Sequence, residues 1–249
     1  MKYSKIEILE FLKSSHRQRI QMENEFPNED EITNDLTIRN WIDEMELLNW
    51  KELCKYYCQV FEMESYEIEF RKSMLPIKKK TIEDFCEFVS KRAVKPELKS
   101  VKLLGRDCEE AGIFKYLKRK LTDENESKSN EIKPSSKIEN YMNDFAFKIV
   151  EEVNKIHPKI LPIIKYEPNE FEKRNWQLLL SGTIGLVTAS IFDNWLIAGI
   201  GIGLIISGIW MNKIGFKMKP DKFEFEGIET FRDLVELIKE KEHGMQQRI

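Results

Sequence analysis

A chain of 249 residues is long enough to bury one or two hydrophobic cores of ordinary size. One third of its residues are charged, but the formal net charge is only −3, which excludes the overall basic field that drives non-specific nucleic-acid binding. The 4 cysteines are too few and too scattered for the disulfide framework of a secreted domain, so we expect free thiols in a reducing compartment.

Three amphipathic helices are predicted between residues 5 and 92. The N-terminal stretch has acidic residues among its apolar ones and no small-residue cleavage site, so it does not fit a signal peptide. The second and third helices carry apolar residues at helical spacing, and Thr81 followed by Asp84 fits a capping box at the start of the third. These patterns predict a small helical bundle.

The order of signals in this bundle resembles the acyl carrier proteins. The stretch EITNDLTIRNWIDEMELL is followed by a helix ending in QVFEM and then by KKTIEDFCEFV. In that family a Thr/Asp-rich loop leads to Asp-Ser-Leu at the start of the second helix, and a Thr-initiated helix closes the bundle. Glu44 stands where the family has its phosphopantetheine-bearing serine. Because a carboxylate offers no hydroxyl to esterify, the resemblance implies no covalent carrier chemistry at that position.

The same resemblance implies an acidic docking surface at Asp43, Glu44 and Glu46, which would meet a basic patch on a protein partner. A structural explanation stands beside it. Acidic residues at the start of a helix also complement the positive end of the helix dipole without any partner.

A flexible linker is predicted at residues 122–137, because TDENESKSNEIKPSSK has no apolar periodicity. It separates a cytoplasmic helical domain, residues 1–121, from the rest of the chain. Within that domain, residues 100–105 predict a short strand, and Asp107 is placed to cap a following helix.

Two further segments flank the most apolar part of the chain. In the membrane-proximal segment, residues 138–175, apolar residues recur at helical spacing from Ile138 to Ile156. The C-terminal tail, residues 213–249, predicts short strands and a last helix that starts at Thr230.

Two uncharged runs, residues 177–192 and 195–211, flank the turn pair Asp193-Asn194. Their 16 and 17 residues are somewhat fewer than the roughly 20 that a full span needs. Tryptophans lie at the ends of the runs, where the aromatic belts of a membrane protein occur: Trp176, Trp195 and Trp210. The pattern predicts a transmembrane helical hairpin at residues 176–212, with burial in a soluble core as the alternative.

Small residues recur every four positions in both runs. At this spacing they form a narrow stripe on one helix face, which lets two backbones approach closely. The residues predicted to pack the hairpin, against itself or against a second copy, are Ser181, Gly185, Ala189, Gly199, Gly203 and Ser207.

Basic residues flank the predicted hairpin and are absent from its turn, so the positive-inside rule places both termini in the cytoplasm of a prokaryotic inner membrane. The lysines after the second run are placed to contact anionic lipids of the inner leaflet: Lys213, Lys217, Lys219 and Lys222. Two other basic clusters, at residues 78–80 and 115–120, are interpreted as solvated faces.

No catalytic, cofactor-binding or metal-ligating set is predicted. Cys54 and Cys58 are one helical turn apart, but no further Cys or His lies near them in sequence to complete a metal site. They sit on the apolar stripe of their helix, which favours a buried structural role. The chain also lacks the Gly-x-Ser-x-Gly elbow, the phosphate-binding loop and the His-Glu-x-x-His helix.

These observations predict a mainly α fold: a small N-terminal helical bundle of acyl carrier protein type, a two-helix transmembrane hairpin, and a short α+β cytoplasmic tail. The predicted function is that of a membrane-anchored, non-enzymatic interaction or regulatory protein with an unidentified cytoplasmic protein partner and no nucleic-acid partner. One alternative is a membrane-perturbing effector, a toxin or defence protein, that oligomerises through its glycine-rich hairpin. A second alternative is a carrier-like protein in membrane lipid synthesis.

Overall fold

The computed structural model describes residues 1–22, 32–44, 49–103, 105–122, 132–167, 170–192, 195–218 and 222–246. The fold is mainly helical. Its described helices are α1 (Lys5–Met22), α2 (Ile38–Glu44), α3 (Trp50–Val60), α4 (Glu67–Ser73), α5 (Ile82–Arg92), α6 (Glu109–Thr122), α7 (Glu139–Ile156), α8 (Glu170–Phe192), α9 (Trp195–Met218) and α10 (Phe231–Gln246). Two short antiparallel strands, β1 (Val101–Leu103) and β2 (Arg106–Cys108), pair with each other, and β3 (Ile164–Glu167) pairs with β4 (Lys222–Phe225).

The chain forms two compact units. Unit 1 comprises Met1–Ile164 and Phe225–Ile249, and unit 2 comprises Lys165–Glu224. The C-terminal tail from residue 225 therefore belongs to the same unit as the N-terminal residues.

The first five helices enclose an aromatic core in unit 1. Trp41 and Phe70 both meet Phe85 edge-on, with ring centroids 5.6 and 5.2 Å apart. Local sequence signals fix the ends of these helices. Asn49 accepts hydrogen bonds from the backbone at the start of α3, and Thr81 and Asp84 form the predicted capping box on α5.

The tail is held to the segment before α7 by main-chain hydrogen bonds. The amides of Phe231 and Arg232 donate to the carbonyls of Ser136 and Pro134, at 3.1 and 2.8 Å. The predicted start of the last helix at Thr230 is confirmed, because its side chain and that of Asp233 cap α10. Residues 123–131 of the predicted linker lie outside the described residues.

Unit 2 contains a helical hairpin. Helices α8 and α9 pack against each other along their length. Residues 193 and 194, the predicted turn, lie outside the described residues.

The predicted transmembrane hairpin is wrong. Among the residues that the structure describes, no helix combines the length and the apolar character that crossing a membrane requires. The uncharged runs are shorter than a span, they are diluted with Gly, Ser and Thr, and α8 begins with the charged stretch EFEKR. The multi-pass inner-membrane localisation, which depended on this hairpin, is wrong for the same reason.

Candidate functional site

A cluster of buried charged and polar side chains lies on α7 in unit 1. Glu152 and Asn154 are fully buried, and Lys155 is 4 % exposed. The Lys155 ammonium donates to Glu152 Oε1 at 2.7 Å and lies 3.3 Å from Glu151 Oε1. The Tyr116 hydroxyl donates to Glu152 Oε2 at 2.7 Å. Both Glu152 oxygens are therefore satisfied, which offsets much of the cost of burying the charge.

Tyrosines from other elements of unit 1 surround this cluster. The Tyr3 hydroxyl donates to the Lys155 carbonyl, and the Tyr56 hydroxyl donates to Glu151 Oε2, both at 3.1 Å. Burial raises the pKa of Tyr3, Tyr56 and Tyr116, and nearby carboxylates add to that rise. The three hydroxyls therefore stay protonated and act as hydrogen-bond donors at neutral pH.

A cleft of about 620 Å³ opens beside this cluster, and Tyr3, Tyr116 and Lys155 form part of its floor. Its volume is within the range of small-molecule binding sites. The walls come from the end of α3, the segment from residue 94 through β1, and α6. The residues lining the cleft are Tyr3, Val60, Phe61, Glu62, Val94, Lys95, Pro96, Glu97, Lys99, Ser100, Val101, Gly112, Lys115, Tyr116, Arg119, Lys120 and Lys155.

The charges that line the cleft are predominantly basic. Six cations face two carboxylates there: Lys95, Lys99, Lys115, Arg119, Lys120 and Lys155 against Glu62 and Glu97. Some of these cations already have acidic partners. Lys95 pairs with Glu7, Lys99 with Glu97 and Lys120 with Glu62. Hydrogen bonding from Lys120 holds the pKa of Glu62 below its usual range.

Two of the cleft cations lack such a partner. Among the described residues, neither Lys115 nor Arg119 lies within 4.0 Å of a carboxylate oxygen. The Arg119 guanidinium lies 5.9 Å from the centre of the Tyr116 ring. Residues 115–120 were interpreted as a solvated face; Lys115 and Arg119 are exposed, as that interpretation expects, and together with Lys120 they also line one wall of the cleft.

The close approach of α6 to the segment before β1 shapes this wall. Gly112 is buried, and a Cβ atom added to it would lie 2.1 Å from the carbonyl oxygen of Lys99. Only a residue without a side chain fits there, so Gly112 sets the distance between two walls of the cleft.

Unit 2 places the predicted small-residue set in two different environments. Gly185 lies in the seam between α8 and α9, where an added Cβ would be 3.4 Å from the Cα of Gly201. Gly199 and Gly203 instead face open space. Ser181 and Ser207 are exposed, and the side chain of Ala189 lies outside the described part. The tightest contacts of the seam are at Gly182 and Gly201, which the sequence pattern did not single out.

Alanine at Gly201 should loosen the hairpin, because its Cβ would lie 2.9 Å from the Gly182 carbonyl oxygen. We expect Gly201→Ala to cost about 1–3 kcal/mol of hairpin stability. Gly203→Ala is the matched control in protein diluted to the monomer, since nothing in the same chain lies within 4 Å of its added Cβ and alanine favours the helix by about 0.5–1 kcal/mol. Amide hydrogen exchange of peptides from α8 and α9 would measure the stability of the hairpin in both variants. Equal exchange rates in the two variants would contradict the close packing of Gly201 against Gly182.

The outer surface of the hairpin is apolar. Ten large apolar side chains are each at least half exposed there: Leu180, Ile184, Val187, Ile191, Trp195, Leu196, Ile200, Ile202, Ile206 and Ile209. We call these residues the outer face. Trp195, one of the predicted membrane anchors, belongs to it, while the side chains of Trp176 and Trp210 lie outside the described part. So do the side chains of Lys213, Lys217, Lys219 and Lys222, whose predicted lipid contacts depended on the span.

The predicted docking acids lie at the end of α2 and beyond it. Asp43 is exposed and accepts a hydrogen bond from Arg39 Nε at 2.7 Å within the same helix. Glu44 is the last residue of α2, and its side chain is not described. Glu46 falls outside the described residues. Of these three acids, only Asp43 has a described side chain, and it does not line the cleft of unit 1.

Cysteines and metal ligands contribute no further site in the described part of the chain. Cys54 and Cys58 are buried, as their apolar stripe predicted, and a hydrogen bond between them together with burial raises the pKa of Cys54. No group of three or more His, Cys, Asp or Glu side chains among the described residues is arranged to hold a metal ion.

Comparison with known proteins does not assign the chain to a class: no family model, no curated protein and no solved structure matches it. The acyl carrier protein resemblance therefore stays a prediction. In the described part of the chain, the basic cleft of unit 1 and the outer face of unit 2 are two candidate sites for contact with other molecules.

Proposed function

We propose that this protein is an interaction protein that assembles with a second copy of itself through the outer face of its hairpin. The single observation that carries the proposal is the exposure of ten large apolar side chains on one helical hairpin. Soluble monomers rarely expose contiguous apolar patches of more than a few hundred Å², and larger ones mark interaction sites. Burying this surface supplies the driving force for association.

The lack of charged residues in the two apolar runs of the hairpin restricts the kind of partner that can bind there. Residues 177–192 and 195–211 contain no Asp, Glu, Lys or Arg. A partner that placed charged side chains against this surface would bury them without a counter-charge, at a high cost in free energy. A second copy of the chain offers the same uncharged surface, and two copies related by a two-fold axis present it to each other.

The spacing of the outer face fits helix-to-helix packing. On α8, Leu180, Ile184, Val187 and Ile191 follow one another at intervals of four, three and four residues. On α9, the same alternation runs through Trp195, Gly199, Ile202, Ile206 and Ile209. Such stripes interdigitate when helices pack side by side, as in four-helix bundles.

The glycines of α9 add a place for close approach. Gly199 belongs to the apolar stripe, and both it and Gly203 have open space where a side chain would be. A second helix can therefore come close to the α9 backbone at these positions. In this proposal Gly199 and Gly203 contact the second copy, whereas Gly182 and Gly201 contact each other within one hairpin.

The proposal is tested by the mass of the full chain in solution, measured by light scattering over a range of concentrations. We expect a discrete mass of twice the chain mass. Ile206→Lys should reduce it to the monomer mass, because Ile206 lies on the outer face and a buried lysine there would lack a partner. Ile68→Lys is the matched control, an exposed isoleucine on α4 of unit 1, and should leave the assembly unchanged.

Two results would overturn the proposal. One is a wild-type protein that stays monomeric at high micromolar concentration. The other is an assembly of unchanged mass in Ile206→Lys, which would show that the copies meet through another surface.

A further inference from the structure

We infer that the cleft of unit 1 binds a small ligand that carries at least two phosphate groups. This site is separate from the outer face of the hairpin, and the inference does not depend on self-association. It rests on the size of the cleft, on the cations in its walls and on the buried groups that fix its floor.

Four cations of the cleft are available to a ligand. Lys115 and Arg119 have no acidic partner within 4.0 Å among the described residues. Lys99 and Lys120 pair with Glu97 and Glu62, but these two carboxylates are themselves largely exposed. Exposed ion pairs contribute little free energy, so a phosphate group can replace either carboxylate at low cost. Arginine and lysine together are the usual side chains for phosphate recognition.

The floor of the cleft is rigid. Lys155 is held by Glu151 and Glu152, and Tyr116 is held by Glu152. These contacts hold the side chains of Tyr116 and Lys155 in place at the bottom of the cleft, where the two carboxylates balance the charge of Lys155. A binding site whose charges are already oriented loses less entropy when the ligand arrives.

The shape of the site favours a small ligand over a nucleic-acid strand. The cations converge on one cavity of about 620 Å³ instead of forming a stripe along a surface. A cavity of this size encloses a molecule of the dimensions of a nucleotide. The same walls also present Val60, Phe61 and Val101, which can contact an apolar part of such a ligand.

Isothermal titration calorimetry on the full chain at low salt tests the inference, with sodium tripolyphosphate and ATP as probes. We expect both probes to bind, and binding to weaken as salt is added, because ion contacts of this kind are screened. Lys115→Gln combined with Arg119→Gln should weaken binding by about tenfold for each removed cation. Both side chains are exposed, so the double variant should fold normally.

Lys51→Gln combined with Lys55→Gln is the matched control. Both lysines are exposed on α3 of the same unit and lie outside the cleft, so this pair removes the same charge at a distance from the site. It should change the affinity by less than about twofold, because screening weakens distant surface charges.

The two probes also distinguish the source of the phosphates. Equal affinities would mean that the phosphate chain alone is recognised, as in inorganic polyphosphate. Tighter binding of ATP would mean that the cleft also holds the nucleoside. The inference is overturned if neither probe binds at millimolar concentration, or if the cleft variant binds like the wild type. It is also overturned if a single-stranded oligonucleotide binds while both small probes do not.

Discussion

Replacing Lys155 by methionine should lower the free energy of unfolding by about 3–5 kcal/mol. The substitution keeps a long flexible side chain of similar length but removes the ammonium group. Glu152 is fully buried, and its Oε1 atom would lose the 2.7 Å hydrogen bond from Lys155. The carboxylate would keep the Tyr116 hydroxyl as a donor and the Lys148 ammonium 3.7 Å away, but it would lose its nearest counter-charge. Removing the hydrogen-bonded counter-charge of a buried carboxylate is a costly change for a single substitution.

A double substitution shows how much of the lost stability comes from the unpaired charge and how much from altered packing. Glu152→Gln combined with Lys155→Met removes both charges, so it should restore most of the lost stability. Lys5→Met provides the control at the surface, because Lys5 is exposed and pairs with an exposed Glu87 3.0 Å away. Surface pairs of this kind are worth little, so the control should stay close to the wild type.

Urea denaturation of the full chain, followed by circular dichroism, would measure these variants. If Lys155→Met were as stable as the wild type, then the cluster on α7 would not be the buried ion pair that the structure shows. If the double variant were less stable than Lys155→Met, then packing around the cluster would dominate over its charge.

The helices of unit 1 were predictable because their signals are local. The apolar spacing of α7 predicted its buried face, and Phe145, Ile149, Val153 and Ile156 are indeed buried. The capping residues that start α5 and α10 can be read from four consecutive positions each. Contacts within one turn of a helix need no knowledge of the rest of the chain.

The site was not predictable in the same way. On a helix, Glu152 and Lys155 are three residues apart and look like an ordinary surface pair. Their burial comes from partners far away in sequence, such as Tyr116 at a separation of 36 residues and Tyr3 at a separation of 152. The basic cluster at residues 115–120 was visible, but only the fold brings it opposite Lys99 and over Lys155.

For the hairpin, the sequence pattern predicted the two helices but neither their environment nor the residues that pack between them. Its two helices follow from the uncharged runs, but the same runs suggested a membrane span that the described helices do not support. Gly199 and Gly203 are four residues apart and share one side of α9, whereas Gly201 lies on the opposite side. Nothing in the local pattern decides which of them faces α8. In the structure Gly201 faces α8, where its backbone packs closely against Gly182.

Substituting Gly112 by alanine should destabilise unit 1 by about 3 kcal/mol, although alanine is the better helix former. The added Cβ would lie 2.1 Å from the Lys99 carbonyl oxygen and 2.9 Å from the Lys99 carbonyl carbon. Both are backbone atoms, so the clash cannot be relieved by rotating a side chain. The strand segment and α6 must therefore move apart, or the helix must distort.

The sign of the Gly112→Ala effect distinguishes close packing from helix propensity. At an open position in a helix, the same substitution stabilises by about 0.5–1 kcal/mol, and Gly203→Ala, measured on protein diluted to the monomer, supplies that reference. Ala111→Gly, one position away on α6, should cost about 1 kcal/mol by propensity alone. Urea denaturation compares the stabilities of the three variants.

Gly112 also sets the distance between two walls of the cleft. Gly112→Ala should therefore weaken tripolyphosphate binding, although the variant retains Lys115 and Arg119. A stabilised Gly112→Ala variant with unchanged binding would show that α6 does not approach Lys99 as closely as the structure indicates.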